Sequence, residues 1–276
     1  MTSPRTDIFR ETRWLAIVII PFLAIAFAIL YGFPADTARL FAWNIQPPMT
    51  AMMLGSAYAG GVWFFGRAAR AAWWREIKIG FPAVGTFASL LGIATILHWD
   101  RFIHDALAFW LWVLLYFTTP FLVFGTLLRQ RRADRDDQAT EPELPAVARR
   151  TLGVVGALMV VVSIGLFLAP DLLLPAWPWK LTPLTARVVS AMFALPGIVG
   201  LGMAADPRVS VARISLEAQV LSIALILGAV VRDAGDIDFG SPMAWVFVVG
   251  LGLLAGALAW WRVALGGSAV RAPAAS

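Results

Sequence analysis

Both histidines of the chain fall in one short polar stretch, His98-Trp99-Asp100-Arg101-Phe102-Ile103-His104-Asp105. A second polar stretch, Arg232-Asp233-Ala234-Gly235-Asp236-Ile237-Asp238-Phe239, holds the corresponding place in the second half. Brought together, they would gather two imidazoles with the carboxylates of Asp100, Asp105, Asp233, Asp236 and Asp238. Imidazole with carboxylate suits Zn²⁺ or another first-row divalent ion, with His98 and His104 as the metal candidates; carboxylates alone suit Ca²⁺. The two histidines are not at the i, i+4 spacing of a helical zinc pair. In the competing reading both stretches are hydrated turns, with Asp100–Arg101 and Arg232–Asp233 as interfacial ion pairs worth about 0–1 kcal/mol each. Two histidines in one loop are poorly placed to ligate a haem from opposite sides.

A second set of polar residues lies inside apolar runs: Arg213, Glu217 and Gln219, with Thr50 and Thr185 near two run starts. Glu217 is expected roughly 12 Å deep, about eight residues at about 1.5 Å each. An ionisable group at that depth is a functional candidate, here a gate or coupling residue for transport. Arg213, one turn earlier, offers the structural alternative of a snorkelling ion pair. Arg187, at the outer start of another run, is read as snorkelling to headgroups.

The elements that position these residues are apolar runs. Eight are candidates to cross a bilayer: Trp14–Phe33, Met49–Phe65, Ile77–Leu97, Ala106–Leu128, Leu152–Ala169, Val188–Ala205, Val211–Val231 and Met243–Leu265. Each approaches the roughly 17–25 residues that span about 30 Å of hydrocarbon. Basic residues alternate between the loops. One side holds Arg5, Arg10, Arg13, Arg67, Arg70, Arg75, Lys78, the Arg129–Arg150 cluster, Arg208, Arg213, Arg262 and Arg271. The other holds only Arg39, Arg101, Lys180, Arg187 and Arg232 of the 22 Lys and Arg in the chain. Short cytoplasmic loops are enriched in these residues, so both termini are expected inside a plasma membrane. Anionic headgroups account for the net charge of +5, and no basic helix or soluble domain invites nucleic acid.

The second half faintly repeats the first. Trp43-Asn44-Ile45-Gln46-Pro47-Pro48-Met49-Thr50-Ala51 resembles Trp179-Lys180-Leu181-Thr182-Pro183-Leu184-Thr185-Ala186, and Ala108-Phe109-Trp110 resembles Ala244-Trp245-Val246. Four helices per copy would set both copies the same way up, about an axis along the membrane normal. The expected organisation is a four-helix unit over residues 1–130, a flexible cytoplasmic linker over 131–149 and a second four-helix unit over 150–276. Proline in a helix's first turn is structural. Trp43 and Trp179 are expected to anchor at the interface, like most of the 13 Trp. Small-residue pairs Gly252/Gly256, Gly55/Ala59, Ser56/Gly60 and Gly85/Ser89 would let helices approach closely.

The chain has no cysteine, which excludes disulfides, thiolate metal sites and thiol nucleophiles. It carries no Walker loop, dinucleotide fingerprint, His-Glu-x-x-His or Gly-x-Ser-x-Gly, so no cofactor is read from it. The expectation is an all-α integral membrane protein of eight transmembrane helices, a 4+4 parallel duplication. Its leading function is a permease or exporter of a small or amphipathic solute, with a cavity between the halves lined by Thr50, Thr185, Gln219 and Glu217. A metal-dependent membrane enzyme or sensor using the outer His/Asp cluster is the first alternative. The second is a scaffold or accessory subunit, whose partners are the bilayer and other membrane subunits.

Overall fold

A computed structural model describes residues 7–133 and 142–269. Among them the chain is helical, with two isolated β-bridges and no strand. The helices are α1 (Arg10–Phe27, continued by a π-helical turn, Ala28–Gly32), the short α2 (Thr37–Leu40), α3 (Pro48–Arg70), α4 (Gly80–Leu97), α5 (Leu107–Ala133), α6 (Ala146–Leu168), α7 (Pro183–Ala205), α8 (Val209–Arg232) and α9 (Pro242–Ala269). Six are long and apolar enough to cross a membrane: α1 with its π-turn, α4, α5, α6, α7 and α8. The protein is therefore of the membrane-embedded helical class.

Two expected spans do not meet that measure. α9 runs Pro242–Ala269, and of it Pro242–Gly256 is described to the side chains; that part is apolar but by itself shorter than a crossing. α3 is 23 residues long but carries Gly55, Ser56, Tyr58, Gly60, Gly61, Arg67 and Arg70. Its environment explains that composition: α3 packs between α1 and α8, so most of its surface meets protein. A helix enclosed by other helices is not held to the apolarity that lipid contact demands.

α3, α4, α7 and α8 form the inner layer. α3 packs on α1 and α8; α7 packs on α6 and α4; α5 lies on α4 and α9 on α8. The outer helices present long apolar faces. Only 17% of the apolar window of α6 is buried in the protein, against 56% for α7. Such a one-sided helix requires a non-aqueous surround.

The closest helix approach is between α6 and α7. A Cβ on Gly156 would lie 2.7 Å from Gly197 O and 2.9 Å from Leu201 N, and one on Gly200 would lie 2.9 Å from Leu152 O. Gly60 similarly brings α3 against Ser222 and the Ala218 carbonyl of α8. The expected Gly252/Gly256 contact is not made: a Cβ on either meets nothing within 4 Å.

Proline opens α3 and α7 alike, each of 23 residues. In α7 the start is fixed further by a reciprocal cap, Thr185 N donating to Thr182 Oγ1 (3.2 Å) and Thr182 N to Thr185 Oγ1 (2.8 Å). At the start of α3, Met49 N instead donates to Asp236 Oδ2 from the α8–α9 loop, at 2.9 Å. The loops that lead into α3 and α7 each carry part of an aromatic triad. Phe41, Trp43 and Trp112 have ring centroids 4.7–5.6 Å apart, and Trp177, Trp179 and Phe247 have theirs 5.1–5.4 Å apart. Trp43 and Trp179 are thus buried core residues, not interface anchors, because each ring closes a gap between an outer loop and a helix. Trp110 and Trp245 are exposed, each Nε1 donating to the carbonyl six residues earlier, His104 O (2.9 Å) and Phe239 O (3.1 Å). That contact pairs Trp110 with Trp245, one residue away from the alignment of Ala108 with Ala244.

The basic face is tied together by side chains. Gln130 of α5 accepts from Phe9 N (3.2 Å) and donates to Asp7 O (2.8 Å), while Arg13 caps the end of α3 through the Ala69 and Ala71 carbonyls, both at 2.9 Å. The expected 131–149 linker is not all free. Leu144 N donates to Pro207 O (2.8 Å) and Val209 N to Pro142 O (3.0 Å), pinning its end to the α7–α8 turn; residues 134–141 lie outside the described residues.

Asp206, in the α7–α8 turn, receives Lys78 Nζ and Arg208 NH2 on Oδ2, each at 2.6 Å. Burial by itself raises its pKa, but the bonds from Arg208 and Lys78 outweigh it and hold the carboxyl far below the usual range. A depressed carboxylate pKa adds stability that is complete above the unfolded value of about 3.9 and fades as pH falls towards the folded one. Asp206→Asn is therefore expected to lower the melting temperature by a constant amount between pH 5 and 8, roughly, with the gap closing only in stronger acid. Parallel thermal melts of the two proteins across pH check this; a gap that closes by about pH 5 would contradict it.

Candidate functional site

A cavity of about 380 Å³ lies among the four inner helices, with α1, α5, α6 and α9 completing its wall. Its size falls within the range of roughly 300–1,000 Å³ typical of small-molecule sites. The wall is largely Phe, Leu, Met, Ile, Val, Ala and Gly, and among the described residues it contains no Asp, Glu, Lys, Arg or His. The polar side chains on it, among the described residues, are Tyr58, Tyr116, Thr119, Ser215, Gln219 and Ser222.

Those six lie well inside their helices. Tyr58 OH and Tyr116 OH form a buried hydrogen bond of 2.6 Å between α3 and α5. Tyr116 also packs on Trp112, whose Nε1 donates to Thr95 Oγ1 on α4 at 2.9 Å. On the α8 side, Ser222 Oγ donates to Ala218 O at 3.0 Å. Ser215 Oγ and Gln219 Nε2 are buried and have no hydrogen-bond partner. A buried polar group left unpaired costs about 1–3 kcal/mol, and two of them stand on one wall of this cavity.

Of the expected cavity residues, only Gln219 lines it. Thr50 is used within the core, accepting from Trp179 Nε1 at 2.8 Å; Thr185 is consumed in its helix cap. Glu217 lies on the opposite side of α8 from the cavity, with its side chain only 5% exposed. It accepts from Arg67 NH1 (2.8 Å) and Trp63 Nε1 (3.2 Å) of α3 and from Arg213 Nε (3.3 Å) of α8. The ion pair with Arg213 is present as read, but the shorter bond is to Arg67, across the α3–α8 contact.

The two polar stretches, 98–105 and 232–239, separate into local contacts. His98 Nε2 lies 2.7 Å from Arg187 NH1. Burial and the Arg187 charge lower its pKa, which favours the neutral ring, and Nε2 accepts a hydrogen bond from the Arg187 guanidinium. Arg187 thus reaches the histidine that follows the end of α4, where snorkelling to headgroups had been expected. His104 Nε2 lies 3.0 Å from Trp99 O, and its ring stacks on Trp99. Asp100 pairs with Arg101 (3.3 Å), and Asp105 is exposed. Asp236 caps α3, Asp238 Oδ1 accepts from Gly240 N (3.0 Å), and Asp233 lies 3.7 Å from Arg232. Among the described residues no group of three or more His, Asp or Glu is placed to hold a metal ion.

Tyr58, Tyr116, Thr119, Ser215 and Ser222 are the site residues that sequence reading passed over. One signal was available: the chain has only three tyrosines, all within apolar runs. Tyr31, the third, donates to Leu225 O of α8 at 2.9 Å. No family model, curated protein or solved structure matches the chain.

Proposed function

We propose that this protein is a permease or exporter for an uncharged amphipathic molecule, which it holds in the central cavity. The observation that carries this is the wall of that cavity, apolar and charge-free, with the unpaired Ser215 hydroxyl and Gln219 amide on one side. An ionic headgroup would have no counter-charge there, and desolvating it would cost several kcal/mol. A neutral headgroup with hydroxyl or carbonyl oxygens would pair the two free groups, while its hydrocarbon replaces lipid contacts at little cost.

The same reading takes the chain as two fused four-helix units crossing the plasma membrane eight times, termini inside, with the cavity on their pseudo-twofold axis. Several features support it. Pro48 and Pro183, the 3₁₀ turns at Trp99 and Ala234, and the helix starts at Leu107 and Pro242 stand at one constant separation in the chain. The contact of α3 with α8 has its counterpart in that of α7 with α4, and α1 on α3 in α6 on α7. The two aromatic triads and the two Trp-to-carbonyl contacts follow the same correspondence. The alternation of basic loops supports cytoplasmic termini.

Translocation of a fluorescent monohexosyl diacylglycerol in proteoliposomes tests the function, a membrane-impermeant reductant distinguishing the leaflets. Wild-type protein is expected to move the probe at least tenfold faster than protein-free vesicles, and Ser215→Ala/Gln219→Leu to lose most of that rate. Because Ser215 Oγ and Gln219 Nε2 are buried and unpaired, the double variant should unfold at the same or a higher temperature. Equal rates with and without protein, or an undiminished rate in the double variant, would overturn the proposal.

A further inference from the structure

The cavity wall is sealed on one side and breached on the other. On α5, the lining residues Tyr116 and Thr119 are 4% and 6% exposed. On α9, the lining residues Val246 and Leu254 are 63% and 40% exposed, and Gly250 between them is exposed too. A Cβ on Gly250 would meet nothing within 4 Å. The mouth therefore runs along α9. Gly250 is eight residues from the helix start, about 12 Å along the axis at about 1.5 Å per residue, so the opening faces hydrocarbon and not either aqueous side.

The difference between the two sides has a chemical cause. Counting from the helix starts, Tyr58 of α3 corresponds to Phe193 of α7, Tyr116 of α5 to Leu251 of α9, and Leu115 to Gly250. All six line the cavity. In the first half the two hydroxyls tie α3 to α5, and Leu115 fills the space beside them. In the second half Phe193 and Leu251 have no group with which to bond, and Gly250 fills nothing.

We infer that the cavity receives its ligand sideways from the bilayer, through the cleft at Val246, Gly250 and Leu254, with the Tyr58–Tyr116 bond as the latch that keeps the equivalent cleft shut. The ligand is accordingly a molecule dissolved in the membrane, with a hydrocarbon body and an uncharged polar end, and not a solute arriving from water. This rests on the cavity being the solute's site. Aligning one mouth with lipid makes the protein one-sided about its pseudo-twofold axis: the ligand enters and leaves beside α9.

The absence of native cysteine allows the test by single spin labels at Gly250→Cys and Leu115→Cys, in protein reconstituted into vesicles. Collision with oxygen, which concentrates in hydrocarbon, is compared with collision with a water-soluble nickel chelate. The label at 250 is expected to favour oxygen at least threefold over that at 115, with little response to nickel at either. Adding Tyr58→Phe/Tyr116→Leu to the 115-labelled chain is expected to raise its oxygen collisions to the level seen at 250. A nickel-dominated response at 250 would make the mouth aqueous and overturn the inference; an unchanged response at 115 would remove the latch. Neither result depends on translocation, so an inactive protein with this labelling pattern would discard the transport reading and leave the lipid-facing mouth in place.

Discussion

Gly156→Leu is expected to yield little or no assembled protein, and Gly156→Ala a folded protein of clearly lower stability. Alanine normally gains about 1 kcal/mol over glycine in a helix interior. At Gly156 the added methyl would lie 2.7 Å from Gly197 O and 2.9 Å from Leu201 N, both backbone atoms that cannot rotate aside. Moving α6 away from α7 loosens an interface that has no substitute, at about 1–3 kcal/mol for a small intrusion and more for a large one. The clash therefore outweighs the propensity gain. Gly165→Ala, on the same helix with nothing within 4 Å of its Cβ, is the control expected to be neutral or stabilising. Size-exclusion profiles and thermal melts in mild detergent read all three. An unimpaired Gly156→Leu would mean that α6 and α7 do not meet at these glycines.

Arg67→Leu is expected to destabilise the protein by about 1–3 kcal/mol, and Glu217→Gln by less, while under the proposed function Glu217→Gln leaves translocation of the glycolipid probe within roughly twofold of wild type. The asymmetry follows from burial. The Glu217 side chain is 5% exposed, whereas those of Arg67 and Arg213 are 35% and 66% exposed. Removing Arg67 takes the 2.8 Å cross-helix bond from a buried carboxylate, which keeps Arg213 and Trp63 as partners. Replacing the carboxylate leaves two arginines that can extend to water and headgroups, which is cheap. Unfolding in detergent gives the order of the two variants. A translocation rate that collapses in Glu217→Gln while stability holds would restore Glu217 to the transport path.

Helix positions were legible because apolar runs of membrane length admit few alternatives, and every expected span falls on or within one to three residues of an observed helix. The proposed repeat rests, at the level of sequence, on its loops, where Trp43 and Trp179 and the following Pro-x-Thr segments are distinctive. The close packing was harder. Reading for small residues four apart selected Gly252 and Gly256, which touch nothing, and passed over Gly153, Gly156, Gly197 and Gly200, whose spacing of three puts them on one tight α6–α7 contact. Which face of a helix turns inward depends on its neighbours, and periodicity is weak when lipid and core are equally apolar. For that reason Glu217 was assigned to the cavity although it lies on the other side of α8 from the lining residues Ser215, Gln219 and Ser222. The polar stretches carry contacts that spacing along the sequence does not reveal: Asp236 caps the N-terminus of α3 and His98 meets Arg187.

The capping of α3 by Asp236 has a consequence for the order of events at the ribosome. α3 leaves the ribosome long before the α8–α9 loop does, and its first free N–H groups have no partner of their own. The carboxylate of Glu217 that serves Arg67, the Trp179 indole that serves Thr50 and the Arg232 guanidinium that bonds the Tyr31 carbonyl at 2.6 Å also come from the later half. Each is a debt of the early half that only the late half settles. The first four long helices must then wait in the bilayer, or in the care of the insertion machinery, with their polar groups open until the last loop is made. Closure of the bundle is thereby tied to completion of the chain, so that a truncated product is left conspicuously unfinished for membrane proteolysis to find.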